Sequence, residues 1–256
     1  MKRYLAKIRY LGLNYNGSQK QDQNLEPKQR TIQNELENAL RTLTKRNIST
    51  IFQGRTDAKV SAYAQTLHFD MDDEIENIQK FIYSLNSILP NDIVVFEIIP
   101  VESNFHAQMS AKYRHYQYKI RSSKTKSPFD LNVFYMYEDL DITRLNKMLS
   151  FIVGEHDFSA FKSKSDNPAK ICKIFKAEAK KDGEYVLIDI IGNRFLYNMV
   201  RTIVGTILRI EKTSKDPELF ETILNSKMRS KAYETIDAIG LTLVEVGYDN
   251  RYETLQ

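Results

Sequence analysis

The residues best placed to do chemistry lie in the stretch 54–69. It opens with a turn-like segment, Gly54-Arg55-Thr56-Asp57, and then alternates in apolar residues as far as Phe69. A turn at the mouth of a strand holds a short carboxylate beside a guanidinium on rigid backbone. The alternative is structural, because turns favour aspartate for backbone reasons alone, which would leave Arg55 as a surface partner of Asp57.

The size and charge of the chain limit the fold and the binding partners that the protein can have. With 256 residues, of which 42% are hydrophobic, the chain can form one large domain or two small ones with an ample core. Its formal net charge of +4 and pI near 8.9 permit an anionic partner without requiring one. Because there are 15 Tyr, 13 Phe and no Trp, any stacking on nucleobases falls to Tyr, Phe, His or Arg.

No motif in the sequence indicates a cofactor, a metal or a membrane. The single cysteine, Cys172, excludes a disulfide within the chain and stands among strand-like residues, which favours a buried small hydrophobe. Gly192 and Gly205 do not form a phosphate-binding loop. No ligand partner at metal spacing accompanies the histidines, which are His68, His106, His115 and His156. With no signal peptide and no apolar run of membrane-spanning length, we expect a soluble cytoplasmic protein without a metal or cofactor.

The hydrophobic pattern predicts an alternation of strands and helices. In the first half it predicts strand, helix, strand, strand, helix and strand at about 4–11, 31–46, 48–54, 62–69, 74–89 and 93–99, with a polar loop over 12–30. The last of these strands is nearly all apolar, which is typical of a strand covered on both faces. The second half repeats the order at about 112–121, 141–153, 171–180, 185–191, 195–212 and 241–248, with an Asp-Gly hairpin signal at 182–183.

Two successive βαββαβ units predict an α+β fold that duplicates a ferredoxin-like plan. The predicted domains are 1–106, which carries the aspartate loop, and 107–256. Sheets of this plan have helices on one side and an open face on the other, so two halves packed side by side would form a broad cleft. Architecture alone does not separate an enzyme from a binding protein built on the same plan.

The stretch 54–69 resembles one family closely, the tRNA pseudouridine synthase A family, and the resemblance implies the pseudouridine synthase fold. The residues in register with the family signature are Gly54, Arg55, Thr56, Asp57, Ala58, Val60, Ala62, Gln65, His68 and Phe69. The resemblance runs from Tyr10 to Tyr248 and so covers nearly the whole chain. It implies that Asp57 is the catalytic nucleophile.

A second region of resemblance lies before and within the strand at 112–121. The family has a Phe-His-Ala segment just ahead of a strand that carries an active-site tyrosine; here Phe105-His106-Ala107 precedes Tyr116. The resemblance implies a catalytic and base-stacking role for Tyr116 and a substrate-binding role for His106. Taken alone, a tyrosine on a strand is usually a packing residue. Tyr118 points to the same face and is either a core neighbour of Tyr116 or a supporting residue.

The long apolar helix carries an arginine near its start, in Met199-Val200-Arg201, with Gly205 one turn later. Taken alone, Arg201 could extend its charged end out of a buried helix. Its apolar neighbours nevertheless leave it poorly placed unless it is paired. The family has Met-Val-Arg followed by Ile-Val-Gly here, and its arginine pairs with the catalytic aspartate. The resemblance therefore implies a salt bridge from Arg201 to Asp57, which would keep the carboxylate ionised.

The activity implied by the resemblance is isomerisation of uridine to pseudouridine at positions 38 to 40 of the tRNA anticodon stem-loop. It needs no cofactor, and homologues work as homodimers. The target uridine must be flipped out of the stem. Arg55 would then fill the vacated space or bind the neighbouring phosphate, and Tyr116 would stack on the base. Further phosphate contacts are expected from the basic residues Lys59, Lys112, Arg114, Lys162 and Lys164.

Four positions depart from the family pattern. Lys59 and Ser61 stand where glycine and histidine are usual, Ser18 where tryptophan is common, and Gln108 where arginine is common. If the family glycine has positive φ, Lys59 is strained there, while its charge lies beside the site as a substrate-binding group. These departures keep open a catalytically inactive tRNA-binding protein, which would bind tRNA without changing any uridine. A small-molecule binding protein of the same fold would show no salt-dependent binding to tRNA.

Overall fold

The computed structural model describes residues 1–20, 30–164 and 168–252, so part of the predicted loop over 12–30 lies outside the described residues. The strands are β1 (Lys2–Tyr10), β2 (Thr50–Phe52), β3 (Ser61–Met71), β4 (Ile93–Val101), β5 (Tyr113–Ser122), β6 (Phe134–Met136), β7 (Gly154–Asp157), β8 (Ile171–Asp182), β9 (Tyr185–Gly192) and β10 (Leu241–Gly247). The α-helices are α1 (Ile32–Thr44), α2 (Ile78–Asn86), α3 (Ile142–Ser150), α4 (Met199–Lys212) and α5 (Pro217–Ser226). Short 3-10 helices lie at Gly12–Asn14, Ser159–Phe161, Arg229–Lys231 and Ala238–Gly240.

The chain divides into two compact units. Unit 1 comprises Met1–Lys112 and Leu243–Asp249, and unit 2 comprises Tyr113–Thr242 with the residues from 250 onward. The division into domains 1–106 and 107–256 stays a prediction. Within the described ranges, no helix has the length and apolar character needed to cross a membrane.

Unit 1 has the strand order of a ferredoxin-like sheet. The order is β4-β1-β3-β2 with every neighbouring pair antiparallel, and the part of β10 in this unit also lies beside β3. Both helices are amphipathic, so each buries one apolar side; in α1 the buried residues include Ile32, Leu36 and Leu40. The predicted α+β class and its βαββαβ order are confirmed for this unit.

The prediction for β4 was wrong in one respect, because only one of its faces is covered. Val94 and Ile99 are 36% and 40% exposed, whereas Val95 is 1% exposed. β4 is an outer strand, and a single layer of helices protects only one side of a sheet. On the open side the Arg9 guanidinium lies 4.2 Å from the centre of the Phe96 ring, which shields part of this apolar surface.

Unit 2 follows the same plan with additions. Strands β5, β9, β8 and β7 are neighbours in that order with antiparallel pairing, and β6 pairs in parallel with β5. The β8–β9 hairpin is confirmed: Asp182 pairs with Tyr185, and Gly183 between them has φ +58°. The sequence did not predict β6 and β7, because three and four residues are too few to show a strand period.

Cys172 lies on β8 with no exposed surface. Burial raises the pKa of its thiol to about 11, so the sulfur stays protonated at neutral pH. The predicted role as a buried small hydrophobe is confirmed.

Candidate active site

The loop that carries Asp57 connects β2 to β3, and its backbone is fixed at the preceding residue. Thr56 is buried, and its Oγ1 shares a hydrogen bond of 2.8 Å with Tyr10 Oη. The Thr56 N–H donates to Ser18 Oγ over 2.9 Å, and the Thr56 carbonyl oxygen accepts from the Ser18 N–H over 3.1 Å. Every polar atom of Thr56 therefore has a partner, which fixes the residue that leads into Asp57.

The chain after Asp57 closes in a tight turn. The carbonyl oxygen of Asp57 accepts from the Val60 N–H over 3.2 Å, and the Lys59 N–H donates to the carbonyl oxygen of Tyr15 over 3.3 Å. The Asp57 side chain is partly exposed on this backbone. A carboxylate that is reachable from solvent on a rigid support meets the main requirement for a nucleophile.

Two glycines that the sequence did not single out allow another segment to approach this loop. A Cβ on Gly12 would lie 2.0 Å from the carbonyl oxygen of Val60, and a Cβ on Gly17 would lie 2.8 Å from that of Thr56. Neither position accepts a side chain unless the loop backbone moves. In the sequence both glycines stand in a polar segment, where nothing separates them from ordinary turn glycines.

Arg55, which the sequence predicts to bind substrate, is exposed two residues before Asp57. Its Nε donates a hydrogen bond to Gln19 Oε1. The next residue, Lys20, donates its N–H to Gln33 Oε1 over 3.0 Å, which ties this segment to α1. The structure thus brings Arg55 and Asp57 together on one loop of unit 1 and supports Arg55 from the same segment that fixes Thr56.

Lys59 adopts a backbone conformation that favours glycine. Its φ is +68°, in the left-handed region, and its side chain is exposed. A residue with a Cβ is strained there by about 1 to 2 kcal/mol. The strain expected from the departure at this position is therefore confirmed.

Lys59→Gly is expected to stabilise the protein and to weaken its binding to tRNA. Glycine removes the strain of the left-handed conformation, but it also raises the conformational entropy of the unfolded chain. The net gain in the free energy of unfolding is expected to be about 0.5 to 1 kcal/mol. If Lys59 makes its predicted phosphate contact, loss of that contact is expected to reduce the salt slope of tRNA binding by about 1. Chemical denaturation and salt-dependent tRNA titrations measure the two effects.

Lys45→Gly is the matched control for this substitution. Lys45 is also an exposed lysine, with φ +61°, but it caps the C-terminal end of α1. Lys45→Gly is expected to give the same gain in stability with no change in tRNA affinity. Equal weakening of tRNA binding by Lys45→Gly would contradict a specific role for Lys59.

The Phe105-His106-Ala107 segment is held in unit 1 by a buried histidine and a partly exposed arginine. His68 is 2% exposed, and its Nδ1 accepts the Ala107 N–H over 3.1 Å. Arg3 Nη1 donates to the carbonyl oxygens of Ser103 and Phe105, each over 2.8 Å. His68 thus anchors a segment about forty residues further along the chain.

His106 lies beside His68, with ring centres 4.9 Å apart, although the sequence gave no sign that the two would meet. His106 Nδ1 accepts the N–H groups of Gln108 and Met109 over 3.2 and 3.3 Å. In both rings, therefore, Nδ1 accepts hydrogen bonds from backbone N–H groups. A substrate contact from His106 stays a prediction, and it would use the opposite ring nitrogen.

Acidification is expected to destabilise unit 1 through His68. Burial, followed by the positive charge of Arg3 and the neighbouring His106, lowers the pKa of His68 from 6.5 to about 4. Between these values the unfolded chain binds a proton that the folded chain excludes, so stability is complete above about pH 6.5 and falls towards pH 4. The expected loss between pH 6.5 and pH 5 is about 1.5 kcal/mol.

Chemical denaturation of the wild type, His68→Gln and His156→Gln at both pH values tests this expectation. His68→Gln keeps an acceptor for the Ala107 N–H but removes the titrating group, so its pH dependence is expected to shrink. His156, whose Nε2 lies 3.0 Å from the carbonyl oxygen of Val153 in unit 2, serves as the control. An undiminished pH dependence in His68→Gln would contradict the assignment.

Tyr116 and Tyr118 lie on the same face of β5 in unit 2, as predicted. Tyr116 is partly exposed, and its ring meets the Phe195 ring nearly edge-on, with centres 5.1 Å apart. Tyr118 is fully buried, and its Oη donates to the carbonyl oxygen of Asp237 over 2.7 Å. Tyr118 is therefore a core neighbour, whereas Tyr116 presents part of a fixed aromatic ring to solvent.

Arg201 lies in the first turn of α4 and is partly exposed. Its Nε donates to the carbonyl oxygen of Ile236 over 2.8 Å, and its Nη1 donates to Asn198 Oδ1 over 2.9 Å. Asn198 in turn donates from Nδ2 to Ser163 Oγ over 3.0 Å. Partners within unit 2 thus hold the guanidinium, which the sequence did not predict.

Gly205 permits the segment that holds Arg201 to pack against α4. A Cβ at Gly205 would lie 2.2 Å from the carbonyl oxygen of Glu234, two residues before Ile236. The glycine one turn after the arginine is therefore required by a close backbone approach. The predicted helix over 195–212 begins only at Met199, because Asn198 takes a left-handed conformation with φ +61°.

The predicted site residues fall in both units. Unit 1 contains Arg55, Asp57, Lys59 and His106, and unit 2 contains Tyr116 and Arg201. The salt bridge between Asp57 and Arg201 stays a prediction. So do the phosphate contacts of the basic residues; of these, Arg114 Nη1 donates to the carbonyl oxygen of Asn193 over 2.7 Å.

The fold and the loop define an α+β protein of ferredoxin-like plan that presents an aspartate from a fixed backbone. The chain belongs to the tRNA pseudouridine synthase family, whose model matches residues 6–109 and 149–249. The matched ranges include Asp57, His106 and Arg201, whereas Tyr116 lies between them.

Individual relatives share most of the sequence length. The chain is 38% identical over 252 residues to the tRNA pseudouridine synthase A of Anoxybacillus flavithermus, which covers 98% of this chain and 100% of the relative. It is 37% identical over 254 residues to that of Borrelia garinii subsp. bavariensis, covering 97% and 100%. It is 36% identical over 252 residues to that of Francisella tularensis subsp. novicida, covering 97% and 95%.

A solved structure of a Cbf5–Nop10–Gar1 complex also contains a similar chain. The similarity covers 94% of this chain and 58% of that one, with a TM-score of 0.38 and 10% sequence identity.

Proposed function

We propose that this protein isomerises uridine to pseudouridine at positions 38 to 40 of tRNA. The observation that carries the proposal is the Asp57 loop, in which the backbone of Thr56 is saturated with hydrogen bonds while the Asp57 side chain stays partly exposed. Family membership supplies the reaction class. The reaction breaks the N-glycosidic bond, turns the uracil and rejoins it through carbon, so no atoms are gained or lost and no cofactor is required.

The first step is removal of the uridine from its stem. Flipping the base out costs a few kcal/mol, because stacking and pairing are lost. Arg55 is exposed beside Asp57 and supported by Gln19, so it can fill the vacated space or bind the neighbouring phosphate. Lys59 and His106 add contacts to the RNA backbone from the same unit.

The second step is the chemistry on the flipped nucleotide. Asp57 acts as the nucleophile, and Arg201 pairs with its carboxylate to keep it ionised. Tyr116 stacks on the uracil, which contributes about 1 to 3 kcal/mol, and the nearly perpendicular Phe195 ring packs against the tyrosine ring. In this assignment the region 1–106 supplies the nucleophile and the region 107–256 supplies the tyrosine and the arginine.

The proposal is tested by mapping pseudouridine in unmodified tRNA transcripts with carbodiimide and primer extension. Transcripts with uridine at position 38, 39 or 40 are each compared with a transcript that has cytidine at all three. We expect carbodiimide-dependent stops only where uridine was present. Salt-dependent binding of tRNA without any pseudouridine would instead establish an inactive tRNA-binding protein.

We further propose that the protein works in the cytoplasm as a homodimer, as expected for enzymes of this family. Sedimentation is expected to give twice the chain mass of 29.9 kDa. A species at the chain mass that is fully active would contradict the dimer.

A further inference from the structure

We propose that Ser18 and Ser61 are positioning residues, which together hold the Asp57 carboxylate in its reactive place. Both belong to contacts between the segment 12–18 and the loop 54–61, here called the loop clamp. The inference rests on the nucleophilic role proposed above for Asp57. Ser18 is 0% exposed and Ser61 is 2% exposed, so neither hydroxyl can exchange its partner for water.

Ser18 fixes the chain immediately before Asp57. Its Oγ accepts the Thr56 N–H over 2.9 Å, and its own N–H donates to the Thr56 carbonyl oxygen over 3.1 Å. These two bonds define the orientation of the peptide groups on both sides of Thr56. Without the Ser18 hydroxyl, the N–H of buried Thr56 loses its partner, and the loop must shift to satisfy it.

Ser61 fixes the chain after Asp57. Its Oγ accepts the Gly12 N–H over 3.1 Å, and nearby the Lys59 N–H donates to the carbonyl oxygen of Tyr15 over 3.3 Å. The loop is therefore attached to the same segment on both sides of Asp57. Attachment at two points restricts both translation and rotation of the residue between them.

A steric observation independently supports the loop clamp. The backbones are so close that a Cβ on Gly12 would lie 2.0 Å from the Val60 carbonyl oxygen, and one on Gly17 would lie 2.8 Å from that of Thr56. The segment 12–18 is thus a surface against which the loop backbone rests directly. Contact limits movement of the loop towards the segment, and the serine hydrogen bonds limit movement away from it.

Ser18→Ala and Ser61→Ala test the proposal. A displacement of a reacting group by about 1 Å can cost about 100-fold in rate. We therefore expect each substitution to lower the single-turnover rate of pseudouridine formation by about 10- to 100-fold, with the Kd for tRNA changed by less than about twofold. Ser61→Thr keeps a hydroxyl at a strand position and is expected to recover most of the rate.

Asn86→Ala is the matched control in unit 1. Asn86 also fixes backbone at two points: its Oδ1 accepts the Val95 N–H and its Nδ2 donates to the Val95 carbonyl oxygen, both over 2.8 Å. This pair joins α2 to β4. Asn86→Ala is therefore expected to lower the melting temperature like the serine variants, but to leave the single-turnover rate unchanged at a temperature where all variants are folded.

Hydrogen exchange followed by mass spectrometry provides a readout that does not depend on activity. Peptides covering 54–61 are expected to exchange at least about tenfold faster in Ser18→Ala than in the wild type, and to be unchanged in Asn86→Ala. Unchanged exchange in Ser18→Ala, or equal rate losses in Ser18→Ala and Asn86→Ala, would overturn the loop clamp.

The failure of this inference can be distinguished from failure of the proposed function. If the wild type forms pseudouridine, Asp57→Asn does not, and Ser18→Ala is fully active, the loop clamp is wrong and the function stands. If the wild type forms no pseudouridine, the proposed function is wrong, and hydrogen exchange alone decides whether the serines hold the loop.

Discussion

Asp57→Asn is expected to abolish pseudouridine formation while leaving tRNA binding intact. Asparagine has the size of aspartate, and the contacts that hold the loop include those of Thr56 and of the carbonyl oxygen of Asp57. The fold of the loop is therefore expected to persist. The amide cannot act as a carboxylate nucleophile, so the single-turnover rate is expected to fall by at least about 1000-fold.

The measurement pairs carbodiimide mapping of tRNA transcripts with a binding titration of the same transcripts. Asp72→Asn is the control, because Asp72 is an exposed acid just beyond the end of β3 in the same unit. It changes net charge by the same amount and is expected to retain full activity. More than about a tenth of wild-type activity in Asp57→Asn would show that Asp57 is not the nucleophile.

Arg201→Gln is expected to reduce both catalysis and stability. The substitution removes the cation proposed to pair with Asp57, and we expect the rate to fall by about 100-fold or more, comparable with loss of a single charge-stabilising group in other active sites. It also leaves the carbonyl oxygen of Ile236 without its 2.8 Å donor. The free energy of unfolding is expected to fall by about 1 to 3 kcal/mol for that reason.

Arg121→Gln separates the two effects of the Arg201 substitution. Arg121 is an arginine of the same unit, held by Asp130 over 3.2 Å and by Tyr185 Oη over 3.1 Å, and the proposed function assigns it no role. Both variants are expected to lose stability, but only Arg201→Gln is expected to lose activity. Arg201→Lys is not expected to restore activity. A single ammonium group cannot reproduce the planar guanidinium, which reaches Ile236 and Asn198 together. Retained activity in Arg201→Gln would show that Arg201 has only a structural role.

Periodic elements could be predicted from the sequence, and contacts between distant loops could not. β1, β3 and α1 stand close to their predicted positions because their apolar residues recur with the period of a strand or a helix. β6 is too short to show a period, and the open face of β4 depends on which layer covers it. Which layer packs on a sheet face is decided by tertiary structure, so the local hydrophobic pattern cannot predict it.

The residues of the candidate site likewise divide into those that could be predicted from the sequence and those that could not. The resemblance singled out Asp57, Tyr116 and Arg201, and the strained backbone at Lys59 followed from a glycine expected there. The serine hydroxyls that hold the loop looked like ordinary loop and strand residues, because their partners lie 38 and 49 positions away. Only the folded chain brings such partners together.

The last residues of unit 1 have a consequence for how the protein matures on the ribosome. Tyr248 Oη hydrogen-bonds Thr66 Oγ1 over 2.6 Å and donates to the Ala107 carbonyl oxygen over 3.0 Å, across sequence separations of 182 and 141 residues. During translation the segment with Ala107 emerges long before Tyr248 does. Contacts of such long range form slowly and late. Unit 1 is therefore begun first but completed only after Tyr113–Thr242 of unit 2 has been synthesised, so nascent chains remain unfinished around His106 until Tyr248 has emerged.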